Sequence, residues 1–480
     1  MKSRIAKMKL AKDALEKELN FESDLQESAN CSSVSPFFEK LADEMNDELD
    51  SCFIYYAADR LHHLVYSGDI DECQVWIDAI AHTVIGEHPK YSLDISYEML
   101  RQELICWHRL NRMHFDKEEQ HFETVTNNLS VKVKSYIADS KCLPDQAKDL
   151  KILVICFLLN NRDWEFVLGM TVDTGQFSLA KVLAALCYEI NQNGCSIMYF
   201  AGEVFDILIS ALGEPSTPKE ESSFDSDKSS SSKKTSYAIS RLEMIEILQL
   251  ITEPTVTNVL LSFFCKLYSY ISQTDFEICT IYNEMWPSDL EKMPKFDETF
   301  LIEAIETAWN NMESEQMNNT DSLIMFADYR LTRKEYSDAM KYYLLAIVLK
   351  TDHFTNDDME LILDRVADNM LTCLNQLNFH YAAFLFCQFL PLKSPSLQAS
   401  LVNQSSSDPR DGYFEILWKQ EFMELLCETS VRYHREAHSS AVLEQVKNPM
   451  MNSFNDDELR ESIRTYRLTS FLTKLLHLFS

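Results

Sequence analysis

The sequence predicts an all-α protein, a tetratricopeptide-like helical-repeat solenoid with one disordered, serine-rich insertion. Three observations lead there. Glycine and proline are scarce, at 8 and 12 of 480 residues. Glycine is what tight turns with positive φ require, so an all-β or Rossmann-type architecture is hard to build from so few. Apolar residues also recur at helical spacing, as in "MLRQELICWHRLNRMH" and "KDLKILVICFLLNNRDWEFVLGM". Finally, Ser322 to Lys350 reads as two helices joined by a turn, with alanines where the helices would touch. A chain of 480 residues is too long for one small core, so several domains or a repeat array are expected.

Residues 1–30 open the chain as a basic amphipathic segment, with Ile5, Met8, Leu15 and Leu19 on one side. It lacks the uninterrupted apolar core of a secretory signal, and Asp13, Glu16 and Glu18 do not suit a transit peptide. Residues 31–212 form a first helical repeat block, with Asp145 and Asp163 as expected helix caps. The linker 213–236 is serine-rich, charged and nearly free of large apolar residues, so burial cannot offset its ordering entropy.

Residues 237–390 form the tetratricopeptide-like block. Its clearest unit is "SLIMFADYRLTRKEYSDAMKYYLLAIVLK", turning near Arg333-Lys334-Glu335. Ala327, Ala339 and Ala346 allow close helix contact, and Leu323, Phe326, Tyr336 and Tyr343 fill the flanks. Arg330 stands where the repeat usually has an aromatic, and Thr351 where it has a proline. A second hairpin follows, in which Phe379 precedes Ala382 as Tyr336 precedes Ala339. Its apolar piece, within "LNFHYAAFLFCQFL", is too short for a membrane span of about 20 residues. Asn375, Gln376, Asn378 and His380 read as the turn before it, and the piece itself as core.

A loop, 391–411, leads to the C-terminal helical block, 412–480. There Trp418, after the loop, is the tryptophan best placed to anchor a partner. Asn455 and Glu458 suggest a capping pair for the last helix. Its stripe of Leu468, Leu472, Leu475 and Phe479 is widened by Phe471, Leu476 and Leu478. That stripe is expected to pack inward, and its width leaves Leu472 and Leu476 as candidates for partner docking.

The chemistry of sites is sparse. A formal net charge of −31 repels phosphate backbones and suits docking onto basic protein surfaces, so no direct nucleic-acid role is expected. Thirteen cysteines without a CxxC pair indicate reduced thiols, in cytosol or nucleus. No GxGxxG, Walker-type, GxSxG or HExxH pattern occurs. Ser230-x-x-Lys233 lies in the serine run, where nothing orients a nucleophile. Asp59, His62, His63, Asp69, Asp71 and Cys73 gather near one another, but adjacent histidines point different ways, and an ordinary helix end is the better reading. The expectation is a non-enzyme with no catalytic residue, cofactor or metal. A generic peptide-binding tetratricopeptide protein is the alternative. It would use a basic groove, whereas the expected inner face, Asp321, Ile324, Asp328 and Leu331, is acidic to apolar. A proteasome-lid-like subunit would end in strands, whereas the last 25 residues read as one helix.

The segments "AMKYYLLAIVL", "FHYAAFLFCQFL", "GYFEILWKQEFMELL" and "MNSFNDDELRESIRTYRLTSFLTKLLHLFS" together resemble, in order and spacing, the Integrator complex subunit 8 family. The resemblance covers Ser322–Ser480 and is faint before that. It implies a noncatalytic, α-helical scaffold in the nuclear Integrator complex, within the module that carries protein phosphatase 2A. It further implies a role in small nuclear RNA 3′-end processing and attenuation of RNA polymerase II transcription. The partners it implies are Integrator subunits 5 and 6 and the phosphatase. Family members extend further at the N-terminus, where an aromatic-acidic motif helps hold the phosphatase; that motif is not matched here. "DWEF" at Asp163–Phe166 lies inside a helical block and takes no such role.

Overall fold

The computed structural model describes residues 41, 43, 48–67, 70–87, 92–112, 119–139, 148–170, 176–212, 239–272, 281–287, 297–312, 319–355, 359–390, 415–417, 419–432, 436–448 and 456–479. The segments 1–30, 213–236 and 391–411, and the residues Asp145, Trp418 and Asn455, lie outside these. Among the described residues no strand occurs.

The helices are α1 (Glu48–Ser67), α2 (Ile70–Glu87), α3 (Ser92–Arg112), α4 (Glu119–Asp139), α5 (Lys148–Asn160), α6 (Trp164–Gly169), α7 (Gln176–Asn191), α8 (Ile197–Leu212), α9 (Arg241–Leu250) and α10 (Pro254–Ile271). They continue as α11 (Ile281–Glu284), α12 (Glu298–Asn310), α13 (Thr320–Thr332), α14 (Tyr336–Lys350), α15 (Met359–Gln376), α16 (His380–Cys387), α17 (Gln420–Arg432), α18 (Glu436–Val446) and α19 (Asp457–Phe479). The chain forms two compact units, one of residues 1–188 and 233–256, the other of 189–232 and 257–480.

In the first unit neighbouring helices pack in sequence, α1 on α2 and α2 on α3, with α3 also touching α4 and α5. Ile54, Ala57, Leu61, Trp76 and Ile77 fill the start of its core. Trp107 sets the next layer: its ring meets Phe157 edge-on at 4.7 Å, and its Nε1 donates to Thr126 Oγ1 at 2.9 Å. α5 is buried from Ile152 to Leu159, a helix apolar on all sides because neighbours cover every face. At its end Asn160 binds a turn some ninety residues on. Its Oδ1 accepts from the backbone N–H of Thr252 and Glu253, and its Nδ2 donates to the Leu250 carbonyl. A capping box formed by Ser240 and Glu243 starts α9.

Asp163 occupies the N-cap position of α6, but its carboxylate does not bond the helix N–H groups. It accepts from Ser130 and Lys134 on α4 instead, so a tertiary contact takes the group the sequence assigns to a cap.

In the second unit Phe205, Phe263 and Trp286 pack edge to face, and Trp286 Nε1 donates to Ser262 Oγ at 2.9 Å. The hairpin α13–α14 lies where the alanine pattern puts it, with Ala327, Ala339 and Ala346 fully buried. The hairpin α15–α16 follows. α15 runs on through Gln376 and α16 begins at His380, so the turn is only Leu377 to Phe379. From His380 to Leu390 every residue is buried, and the stretch is core.

Five turns have a residue other than glycine at the left-handed position. Arg162, Asn193, Lys334, Asp352 and Asn378 all adopt positive φ, between 44° and 63°. Each N–H bonds three residues back, and the following N–H reaches five residues back, as in Lys334 to Leu331 and Glu335 to Arg330. This is the Schellman arrangement, which usually places glycine at the left-handed position.

Candidate partner-binding surfaces

α13 carries the four residues expected on an inner face. The structure corrects that expectation for three of them. Ile324, Asp328 and Leu331 are each 1% exposed, and α14 and α15 pack against the helix that bears them. Asp328 is the polar centre of the contact. Tyr343 Oη donates to its Oδ1, and Asn369 Nδ2 donates to the same oxygen at 2.9 Å. Burial, then the charge of Asp328, pushes the Tyr343 hydroxyl well above its ordinary pKa and keeps it protonated. Only Asp321 reaches solvent, and it is paired with Arg365 of α15 at 2.8 Å.

At the hairpin turn Arg330 takes the place of the repeat's usual aromatic. Its guanidinium lies over the ring of Phe326, which is stacked on Trp309 with centroids 3.9 Å apart. Arg330 pairs with Glu306 and Glu335, and Arg333 joins the same two carboxylates. The network welds α12 to the α13–α14 turn.

Asp456 caps α19, accepting from the Leu459 N–H at 2.7 Å. Ile463, Leu468, Phe471, Leu472 and Leu475 are buried. Phe471 lies against Phe386 and Phe389, and Phe479 against Phe379. Leu472, a candidate docking residue by sequence, is 0% exposed and belongs to this core, while Leu476 is half-buried. The outward apolar residues are Leu459 and Tyr466, seven apart, with Leu478. Their heptad spacing was the available signal, obscured by the denser stripe on the inner side. Arg464 crosses from α19 to Glu360 at 2.8 Å and to the Phe389 carbonyl at 3.0 Å. It borders a cleft of about 290 Å³ that Asp364 and Lys419 also line.

In the first unit a cleft of about 560 Å³ lies between α2, α3 and α4, lined by Cys73, Ile77, Cys106 and Leu129 among others. Its charged groups, Lys132 and Glu103, pair with each other at 2.7 Å. Cys73 is buried, whereas His63 and Asp59 are exposed and 4.0 Å apart, so these three do not converge. Among the described residues no group of three or more His, Cys, Asp or Glu is placed to hold a metal ion, and no helix is long and apolar enough to cross a membrane.

Successive helical hairpins, alanine contacts within them and side chains that tie each hairpin to the next define a tetratricopeptide-type helical-repeat protein. The chain matches the family model described as "INTS8, TPR repeats" over residues 7–479, and it belongs to that family. It is 23% identical over 332 residues to Integrator complex subunit 8 of Xenopus laevis, covering 68% of this chain and 33% of the relative. The Homo sapiens protein of the same name is 23% identical over 335 residues, with the same coverage. The Mus musculus protein is 24% identical over 241 residues, covering 50% of this chain and 24% of the relative. The chain spans about a third of the length of the curated relatives it matches.

Proposed function

We propose that this chain is a noncatalytic scaffold subunit of the nuclear Integrator complex. The match of the INTS8 repeat family along residues 7–479 carries the proposal. In the finer reading it sits in the module that carries protein phosphatase 2A, beside Integrator subunits 5 and 6. From there it supports small nuclear RNA 3′-end processing and attenuation of RNA polymerase II transcription. The physical features agree with such a role. Most side chains of α13 and all those of α16 are consumed by packing, and a charge of −31 favours basic protein partners over nucleic acid. Docking falls to outward surfaces, with Leu459 and Tyr466 of α19 foremost.

Affinity purification of the tagged full chain from nuclear extract, with quantitative mass spectrometry, tests this. Integrator subunits are expected at stoichiometric levels, with subunits 5 and 6 among them and the phosphatase in lower or equal yield. Recovery of a different multisubunit assembly without Integrator subunits overturns the proposal. Leu459→Asp with Tyr466→Asp is expected to lower that recovery severalfold while helicity by circular dichroism is unchanged.

A further inference from the structure

α8 has two dissimilar sides. Val204, Leu208 and Leu212 are buried on the inner one, whereas Met198 and Tyr199 stand 70% and 64% exposed on the outer one. Tyr199 Oη donates to Glu203 Oε1 at 2.6 Å, one turn on, which holds the ring along the helix. Gly202 follows on the same outer side, in the interior of the helix. Apart from its own helix, nothing lies within 4 Å of where a Cβ on Gly202 would stand. Glycine in a helix interior costs stability relative to alanine, and here neither a left-handed φ nor a close neighbour requires it. Tyr199, Gly202, Glu203 and Asp206 are spaced i, i+3, i+4 and i+7, the corners of a hole that receives one side chain of a facing helix. A ring closes one end of this hole, bare backbone forms its floor, and two carboxylates complete it. α8 contains no Lys or Arg. Among the described residues no cation pairs with Glu203 or Asp206.

We propose that the outer face of α8 docks an amphipathic helix of a partner protein, one that seats an Arg or Lys in the hole over Gly202. The apolar stem of that side chain lies along the Tyr199 ring and the bare backbone, and its cation meets Glu203 and Asp206. Met198, at the start of the face, covers apolar side chains of the same partner helix. Charge selects this occupant. A second copy of the chain would set these carboxylates against the same carboxylates, and each copy carries −31. Nucleic acid and anionic lipid are turned away for the same reason. The inference rests on the scaffold reading above, since it supposes a protein partner, but not on that partner being an Integrator subunit.

Three measurements on the full chain test it. In the purified protein Gly202→Ala adds a methyl group in open space, so the melting temperature should rise by roughly 1–3 °C. An unchanged or lower value overturns the proposal, because the glycine then serves a contact inside the chain. In cells, tagged protein with a photoreactive benzophenone side chain in place of Met198 is illuminated, and the adduct is sequenced by mass spectrometry. The expected product joins position 198 to a peptide of a second protein, in which an Arg or Lys flanks apolar residues at helical spacing. No adduct, one to this chain or a second copy of it, or one to a peptide lacking that basic residue, overturns the proposal. Glu203→Lys with Asp206→Lys should lower the adduct yield about fivefold or more, with helicity by circular dichroism unchanged. An unchanged yield overturns the proposal as well. The expected kind of adduct to a protein outside Integrator upholds it and counts against the Integrator assignment. Integrator subunits recovered without any adduct at position 198 leave that assignment standing and sink this inference.

Discussion

The guanidinium of Arg330 lies 4.7 Å from the centroid of Phe326, one helical turn earlier, and pairs with Glu306 on the preceding helix. A cation thereby does the work that an aromatic does in a regular tetratricopeptide unit, and adds an electrostatic link that no aromatic supplies. Arg330→Ala should therefore cost about 1–3 kcal/mol, since it removes the stack and leaves Glu306 and Glu335 short of a partner. Arg330→Lys keeps the charge and loses the planar stack, so urea denaturation should place it between the two. Parental stability for Arg330→Ala would show the ring contact and ion pairs to be idle.

Tyr343→Phe removes one of the two donors on the buried carboxylate of Asp328 without opening a cavity. The expected loss is about 1–3 kcal/mol. Tyr343→Phe combined with Asp328→Asn should be less damaging than the sum of the two single changes, because the residues share one network. Additive losses in a double-mutant cycle would dissolve the network.

Lys334 holds a left-handed backbone at φ 63° that a side chain disfavours. Lys334→Gly should raise stability by about 0.5–1 kcal/mol, whereas Lys334→Val should lower it. Thermal melts of the two variants that moved together would contradict the turn geometry.

His108 is sealed in the first unit, where its Nε2 bonds the Leu153 carbonyl, and burial lowers its pKa from 6.5 to about 4. The folded ring therefore stays neutral until about pH 4, while an unfolded chain takes up a proton below 6.5. Stability from this group is complete above pH 6.5 and falls as pH drops towards 4, by roughly 3 kcal/mol in all. His108→Gln should flatten that part of the stability curve. An identical pH profile would refute the assignment.

The hairpin α13–α14 was legible because its alanines and aromatics stand at spacings that only a helix pair uses. The inner face was not. Ile324, Asp328 and Leu331 do share one side of a helix, but periodicity says nothing about what covers that side, and α15 covers it through Asn369 and Arg365. The turns were hard to bound for a different reason. Their left-handed positions carry Arg, Asn, Lys and Asp, so the usual glycine marker is missing. Leu459 and Tyr466 are masked in the sequence by a denser apolar stripe along the opposite side of α19.

α16 has no polar side, and part of its cover, through Phe471 on Phe386, comes from α19, about seventy residues further along the chain. A ribosome adding 5–20 residues per second needs roughly 4–14 s to make that stretch. Throughout that interval Phe386 in α16 and Phe389 just after it lack the cover that Phe471 later supplies. The nascent chain at that stage is a natural client for a chaperone that binds bare aromatic surface, and a stall there would favour degradation over assembly.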